Sequence, residues 1–173
     1  MTNRKGYIHL YTGNGKGKTT AAIGIAIRAA GGSLRTFFAQ FVKGKHYCEL
    51  DIIKNIPGIE LVQYGRDCFI RKEPDVEDIR MAFQGFKDIS SIILNNEYDV
   101  VILDEICIAL HYRLIPIDKL IDLLKNKPKN MEIILTGRYA PLELYEISNL
   151  VTYMAEVKHY YKNGVKARKG IEF

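Results

Sequence analysis

Apolar positions fall into short runs separated by glycine, proline or charged clusters, and the runs switch between a two-residue and a helical period. Tyr7-Ile8-His9-Leu10-Tyr11 ends in a glycine cluster and is followed by the Ala-rich stretch Thr19 to Ala30, closed by Gly31-Gly32. That order predicts strand, loop, helix. Thr36 to Val42, Ile59 to Tyr64 and Asp99 to Asp104 read as further strands, the last a continuous apolar run suited to a sheet buried on both faces. Met131 to Thr136 and Leu150 to Val157 add two more. Helical stretches lie between them at Tyr47 to Lys54, Asp75 to Asn95, Ile117 to Lys125 and Pro141 to Ser148. The acidic turn Asp75-Val76-Glu77-Asp78 suits the positive end of a helix dipole. Alternation over nearly the whole length predicts one α/β domain, residues 1–173, with a mainly parallel sheet and helices on both faces.

Composition narrows the class without changing that picture. A chain that is 47% hydrophobic and 26% charged buries an ordinary core, which excludes disorder and a disulfide-stapled miniature fold. No apolar run reaches the ~18 residues of a membrane span. Met1-Thr2-Asn3-Arg4-Lys5 lacks the apolar stretch of a signal peptide, so a cytoplasmic location is expected. Cys48, Cys68 and Cys107 show neither C-x-x-C spacing nor a histidine pair, which favours packed, reduced thiols over a disulfide or zinc. His9, His46 and His111 read as ordinary core or surface side chains.

Charge is unevenly divided along the chain. Residues 1–48 carry eight Lys or Arg and no acid, residues 49–157 carry twelve against nineteen, and residues 158–173 carry five against one. Two basic ends around an acidic middle suit a compact polyanion if the fold brings the ends together, and they argue against nucleic acid as partner.

The chemistry concentrates after the first strand. Thr12-Gly13-Asn14-Gly15-Lys16-Gly17-Lys18-Thr19 lies where a phosphate loop must be, between strand and helix. Glycines permit a tight turn with inward N–H groups, the helix N-terminus adds its dipole, Lys18 supplies a point charge and the Thr19 hydroxyl can hold Mg²⁺. The usual pattern G-x-x-x-x-G-K-S/T has glycine where Thr12 stands, so Gly13 and Gly15 are expected to supply the flexibility. Val100-Val101-Ile102-Leu103-Asp104-Glu105 delivers two carboxylates at the end of an apolar strand, as a magnesium-binding strand does. Ligands of such sheets gather at the carboxyl ends of the strands, where Lys43, Arg138 and Lys158 also fall. The fold expected is therefore α/β and P-loop NTPase-like.

Asn126-Lys127-Pro128-Lys129 looks like a guanine-reading N-K-x-D motif, but Lys129 replaces the acid and the tetrapeptide follows a helix, so guanine specificity is not supported. A helicase or motor would need more basic surface than the acidic middle offers. A small kinase stays compatible with the loop and strand alone.

Longer blocks carry a family resemblance. T-G-N-G-K-G-K-T-T-A-A from Thr12 to Ala22, F-V-K-G at Phe41 to Gly44, V-I-L-D-E-I at Val101 to Ile106, A-L-H-Y at Ala109 to Tyr112, L-T-G-R at Leu135 to Arg138, and V-K-H with a closing G-I-E are similar to the P-loop ATP:corrinoid adenosyltransferases. The blocks occur in order over essentially the whole chain. The resemblance implies transfer of the 5′-deoxyadenosyl group of ATP to cobalt(I) of a corrinoid, cob(I)alamin or cob(I)yrinic acid a,c-diamide, with release of triphosphate. The nucleophile belongs to the substrate, in keeping with a chain that offers no evident Ser/His/Asp or Cys/His constellation.

Residue by residue, the resemblance implies that Gly13, Asn14, Gly15, Lys16, Gly17, Lys18, Thr19 and Thr20 cradle the triphosphate, with Lys43 and Arg138 as further ATP contacts. Lys18, Thr19 and Glu105 would be catalytic, and Thr19, Asp104 and Glu105 would hold Mg²⁺. Gln63 to Ile70 aligns with the family's corrinoid loop, making Cys68 and Phe69 the corrinoid-binding candidates. Phe69 keeps the aromatic that crowds out the corrinoid's lower ligand, Asp67 stands for a glycine, and the family's tryptophan is absent because the chain has none. The resemblance also implies a homodimer and an electron-donating reductase, a flavoprotein, as partner.

Overall fold

The computed structural model describes residues 4–44, 46–66 and 73–173. Six strands form one sheet: β1 (Ile8–Thr12), β2 (Thr36–Phe41), β3 (Ile59–Tyr64), β4 (Val100–Asp104), β5 (Glu132–Thr136) and β6 (Leu150–Tyr153). Their order is β3-β2-β4-β5-β1-β6, and every pairing is parallel. The helices are α1 (Lys18–Gly31), α2 (Cys48–Ile53), α3 (Val76–Leu94), α4 (Ile106–His111), α5 (Ile117–Lys125) and α6 (Leu142–Ile147), followed by a 3-10 turn at Tyr160–Asn163. The α/β expectation therefore holds, with a sheet that is wholly parallel.

Side-chain alternation divides the core in two. Phe37, Ala39, Phe41, Val101, Leu103, Ile133 and Leu135 face one layer, built with Ala82, Phe86 and Ile89 of α3, Leu120 of α5 and Leu144 of α6. Phe38, Val100, Ile102 and Ile134 face the other, where Ala22, Ala26 and Ala29 of α1 pack. Alanine at that spacing gives α1 a thin apolar stripe and brings it close to the sheet. The long helix α3 starts at a capping box in which the Asp75 side chain accepts from the backbone of Glu77 and Asp78.

Two elements differ from the sequence expectation. The strand read as Leu150 to Val157 stops at Tyr153, because the chain leaves the ladder to run beside the phosphate loop: the Met154 N–H donates to the Thr12 carbonyl at 2.8 Å and the Gly15 N–H to the Met154 carbonyl at 2.7 Å. The short helix α4 is additional to the expected helices and follows Glu105, whose backbone takes the left-handed conformation with φ 59°. The Asn126–Lys129 turn lies at the opposite end of the sheet from the carboxyl edge. There the Lys127 ammonium donates to the carbonyls of Gly6, Pro128 and Met131 and pins the start of β1.

Packing makes a paired prediction about two helical glycines. A Cβ on Gly85 of α3 would stand 2.4 Å from the Tyr64 ring, whereas one on Gly24 of α1 meets nothing within 4 Å. Gly85→Ala should destabilise the protein by about 1–3 kcal/mol through overpacking, and Gly24→Ala should stabilise it by about 0.5–1 kcal/mol through helix propensity. Urea unfolding of the two variants measures the opposite signs.

Candidate active site

The phosphate loop begins where β1 ends. Thr12 is still in the ladder, paired with Tyr153, so its backbone needs none of a glycine's freedom. The turn falls one residue later, at Gly13 with φ 97°, and again at Gly17 with φ 114°. Gly15, expected to share the flexibility with Gly13, does not take the left-handed conformation; it is needed for packing, since a Cβ on Gly13 or Gly15 would stand 2.5 Å or 2.7 Å from the Met154 carbonyl oxygen. No side chain caps α1, which leaves its first amides to an anion. The Lys18 ammonium is folded into the loop, donating to the Gly13 and Gly15 carbonyls at 2.7 Å each. Burial, opposed by the nearby Glu105 carboxylate, lowers its pKa below the ordinary lysine value.

The loop is joined to β4 through one buried carboxylate. Asp104 has no exposed surface, and its Oδ1 accepts from the Thr19 hydroxyl at 2.9 Å and the Thr136 hydroxyl at 2.6 Å. Its Oδ2 accepts from the Lys43 ammonium at 2.7 Å and the Gln40 amide at 3.2 Å. Lys43 also donates to the Thr19 hydroxyl oxygen at 3.1 Å, so this ammonium is the cation shared by Thr19 and Asp104. Burial works against both charges, but each stabilises the other: Asp104 is held below the usual aspartate range and Lys43 above the usual lysine value. Glu105 goes the other way, pushed up by burial and then by the adjacent Asp104 charge.

These groups open into a pocket of about 720 Å³ that Lys18, Thr19, Thr20, Lys43, Glu105 and Arg138 line. Its size suits a small-molecule ligand. A groove of similar volume, about 750 Å³, lies among Leu110, His111, Ile117 and Tyr139 and contains none of the expected site residues. The chemistry therefore favours the first. Gly15, Lys16 and Gly17 line the pocket as well, while Asn14 is exposed and, like Gly13, stands outside its lining. Lys158 is exposed and does not line it; its neighbour His159 does. Cys68 and Phe69, with Asp67 and Ile70, lie outside the described residues. Cys48 and Cys107 are free thiols. His9 and His46 pair with Glu132 and Asp51, and His111 stacks on Tyr139.

Three further parts of the chain contribute to the site beyond the residues that the motifs name. Thr136 stands inside the L-T-G-R block, and its hydroxyl accepts from the Glu105 N–H at 3.0 Å while donating to Asp104. Gln40 is a buried polar residue among the apolar side chains of β2, a signal in the sequence because a buried amide must find a partner. The segment Gly170–Phe173 also lines the pocket; the closing G-I-E block marks it in the sequence, but nothing local says that it returns to this site.

The Lys43–Asp104 pair makes a prediction with a defined pH window. Asp104's depressed pKa contributes stability above the ordinary value of about 3.9, lost as the pH falls through the folded value. Lys43's raised pKa contributes below about 10.4, lost as the pH rises through the folded value. Lys43→Met leaves a buried charge uncompensated and should lower the unfolding free energy by about 3–5 kcal/mol at pH 7. The gap from the unsubstituted protein should narrow as the pH drops below 4, which paired urea titrations at pH 7 and pH 3 measure.

The sequence profile of the ATP:corrinoid adenosyltransferase BtuR/CobO/CobP family matches residues 4–173. A corrinoid adenosyltransferase of Sinorhizobium sp is 34% identical over 176 residues, covering 99% of this chain and 82% of its own length. Proteins of the same name from Pseudomonas aeruginosa and Escherichia coli K12 are each 31% identical over 175 residues, covering 99% of this chain and 85% and 87% of their own lengths. Identity at this level, running from Arg4 to Phe173 through both the phosphate loop and the Asp104 strand, makes this chain a member of the ATP:corrinoid adenosyltransferase family.

Proposed function

We propose that the protein transfers the 5′-deoxyadenosyl group of ATP to the cobalt(I) of a corrinoid, releasing inorganic triphosphate, in the synthesis or salvage of adenosylcobalamin. The observation that carries this reading is the link between the phosphate loop and β4 through Asp104 and the hydroxyl of Thr19, which lines a nucleotide-sized pocket, in a chain of this family. The cobalt electron pair forms the bond to C5′, the C5′–O bond breaks, and its pair leaves with the triphosphate. No protein nucleophile enters the step. Cys107, beside the site, has its thiol pushed up to about 12 by burial and then by Glu105, so it stays protonated.

The protein's work is then alignment and stabilisation of the leaving group. Loop amides, Lys18 and Thr20 hold the phosphates, and Lys18 exchanges two carbonyl partners for phosphate oxygens. Lys43 and Arg138, on the same edge, are the further cations of the reading. The donor set suits Mg²⁺, because the Thr19 hydroxyl and Asp104 carboxylate are hard oxygens that already share a cation and Glu105 lies at the same edge. When bound, Mg²⁺ would neutralise charge on the departing triphosphate.

Phe69, with Cys68, would meet the corrinoid and displace its lower ligand, and a flavoprotein reductase would supply the electron to a homodimeric enzyme. The family resemblance supports these assignments. No helix among the described residues is long and apolar enough to cross a membrane.

An anaerobic assay with ATP, Mg²⁺ and chemically reduced cobalamin should give a light-sensitive cobalt–carbon product with stoichiometric triphosphate. ADP without adenosylated corrinoid would replace the reading with phosphoryl transfer. Lys18→Ala should lower turnover by about 10²–10³-fold, the scale of a lost charge-stabilising donor. Phe69→Ala should slow reaction from cobalt(II) more than from pre-reduced cobalt(I), and equal losses under both conditions would remove its assigned role.

A further inference from the structure

The closing motif Gly170-Ile171-Glu172 belongs neither to the phosphate loop nor to the carboxylate strand, yet it returns to their pocket. One set of contacts ties it there. The Lys16 ammonium, on the loop, donates to Glu172 Oε1 at 2.8 Å, to the Ile171 carbonyl at 3.0 Å and to the Tyr160 hydroxyl at 3.2 Å. Glu172 Oε2 accepts from the Arg168 backbone N–H at 2.7 Å and its Nε at 3.3 Å, and Oε1 accepts from Arg168 Nη2 at 3.2 Å and from the Tyr160 hydroxyl. The Arg168 guanidinium lies 5.0 Å from the centre of the Tyr160 ring. Gly170, at φ 74°, turns the chain so that its N–H meets the Phe173 carbonyl at 2.6 Å.

Lys16 and Lys18 stand two residues apart and do different things. Lys18 fills the interior of the loop, whereas Lys16 points to the 168–173 segment. Their contact residues are separated accordingly: Lys18 bonds within its own loop, and Lys16 reaches across 156 positions to Glu172. With the Lys16 side chain 43% exposed, the pair adds little to global stability, so its effect is local ordering. What it orders is apolar: Ile171 and Phe173 are 57% and 41% exposed, and both line the pocket with Tyr47 and Ile52. Exposed apolar surface inside a polar, phosphate-binding pocket suits a flat heterocycle and its sugar.

We propose that Lys16 and Glu172 are a positioning pair that fixes segment 168–173 as the wall against the nucleoside half of ATP, so that preference for ATP over bare triphosphate depends on this ion pair. The inference rests on the reading that the phosphate loop takes ATP. Phosphates are common to both ligands, so a wall for the nucleoside affects only one of them.

The test is calorimetric titration of ATP and of inorganic triphosphate, each with Mg²⁺, into the full chain and its variants. Glu172→Gln and Ile171→Ala should each weaken ATP binding about tenfold while triphosphate binding shifts less than about twofold. In turnover the ATP KM should rise with kcat held, the signature of lost uniform binding. Lys16→Arg should retain the ATP preference, and adding Glu172→Gln to Lys16→Met should weaken ATP binding no further than Lys16→Met alone. An unchanged ratio of the two affinities in Glu172→Gln and Ile171→Ala, whether both affinities hold or both fall, overturns the proposal. Failure of the unsubstituted protein to bind either ligand would instead overturn the reading beneath it.

Discussion

A carboxylate with no exposure at the end of a central strand is the constraint around which this site is built. An unpaired buried charge is far too costly to persist. Asp104 is retained because four donors from four parts of the chain converge on it: Gln40 in β2, Lys43 beyond β2, Thr136 at the end of β5 and Thr19 in α1. Sheet register does much of the placing. Gln40 is the ladder partner of Asp104, and Leu103 pairs with Leu135, which sets Thr136 alongside. The same contacts fix the start of α1 against β4, so satisfying the charge and setting the geometry of the phosphate loop are one physical event.

The titratable groups around that carboxylate are sorted in pairs. Asp104 is lowered and Glu105 raised, although they are adjacent in sequence, because the first has the Lys43 ammonium and the Thr136 and Thr19 hydroxyls against it, while the second is raised by burial and then by the like charge of the first. Lys18 is lowered and Lys43 raised, because for the first burial outweighs the pull of the nearby carboxylates, whereas the second is buried directly against the full negative charge of Asp104. Lys18 is thus a cation short of anionic partners, which suits a residue whose proposed partner arrives with the substrate. Lys43 already has its partner. This division makes the two lysines different devices despite their shared edge.

The loop's own shape depends on a strand that contributes little to the core. All four residues of β6 are exposed, but the chain leaving it supplies the carbonyl to which the Gly15 N–H donates. Close approach of Met154 and Ala155 leaves no space for a Cβ at Gly13 or Gly15. Gly13 is therefore required twice, by the turn and by the neighbour, and Gly15 by the neighbour alone. Both ends of the chain reach one pocket, but the C-terminal end brings His159 and Gly170–Phe173 to it and none of its own Lys or Arg, and its tie to the loop runs through an acid, Glu172, between Lys16 and Arg168.

The sequence by itself determined the layered α/β plan, the glycine-rich loop after β1 and the Asp104 strand, because each is written in consecutive residues: a period of two or of 3.6, or a short motif at a strand end. Ile59 to Tyr64 and Ile117 to Lys125 agree to the residue, since local pattern and burial point the same way. Only the tertiary structure decided what Asp104 is bonded to, that Thr136 and Gln40 belong to the site, where β6 stops, and which way Lys16 faces. Those outcomes depend on contacts between segments far apart in the chain, where the energy of satisfying a buried charge or a backbone group outweighs any local preference.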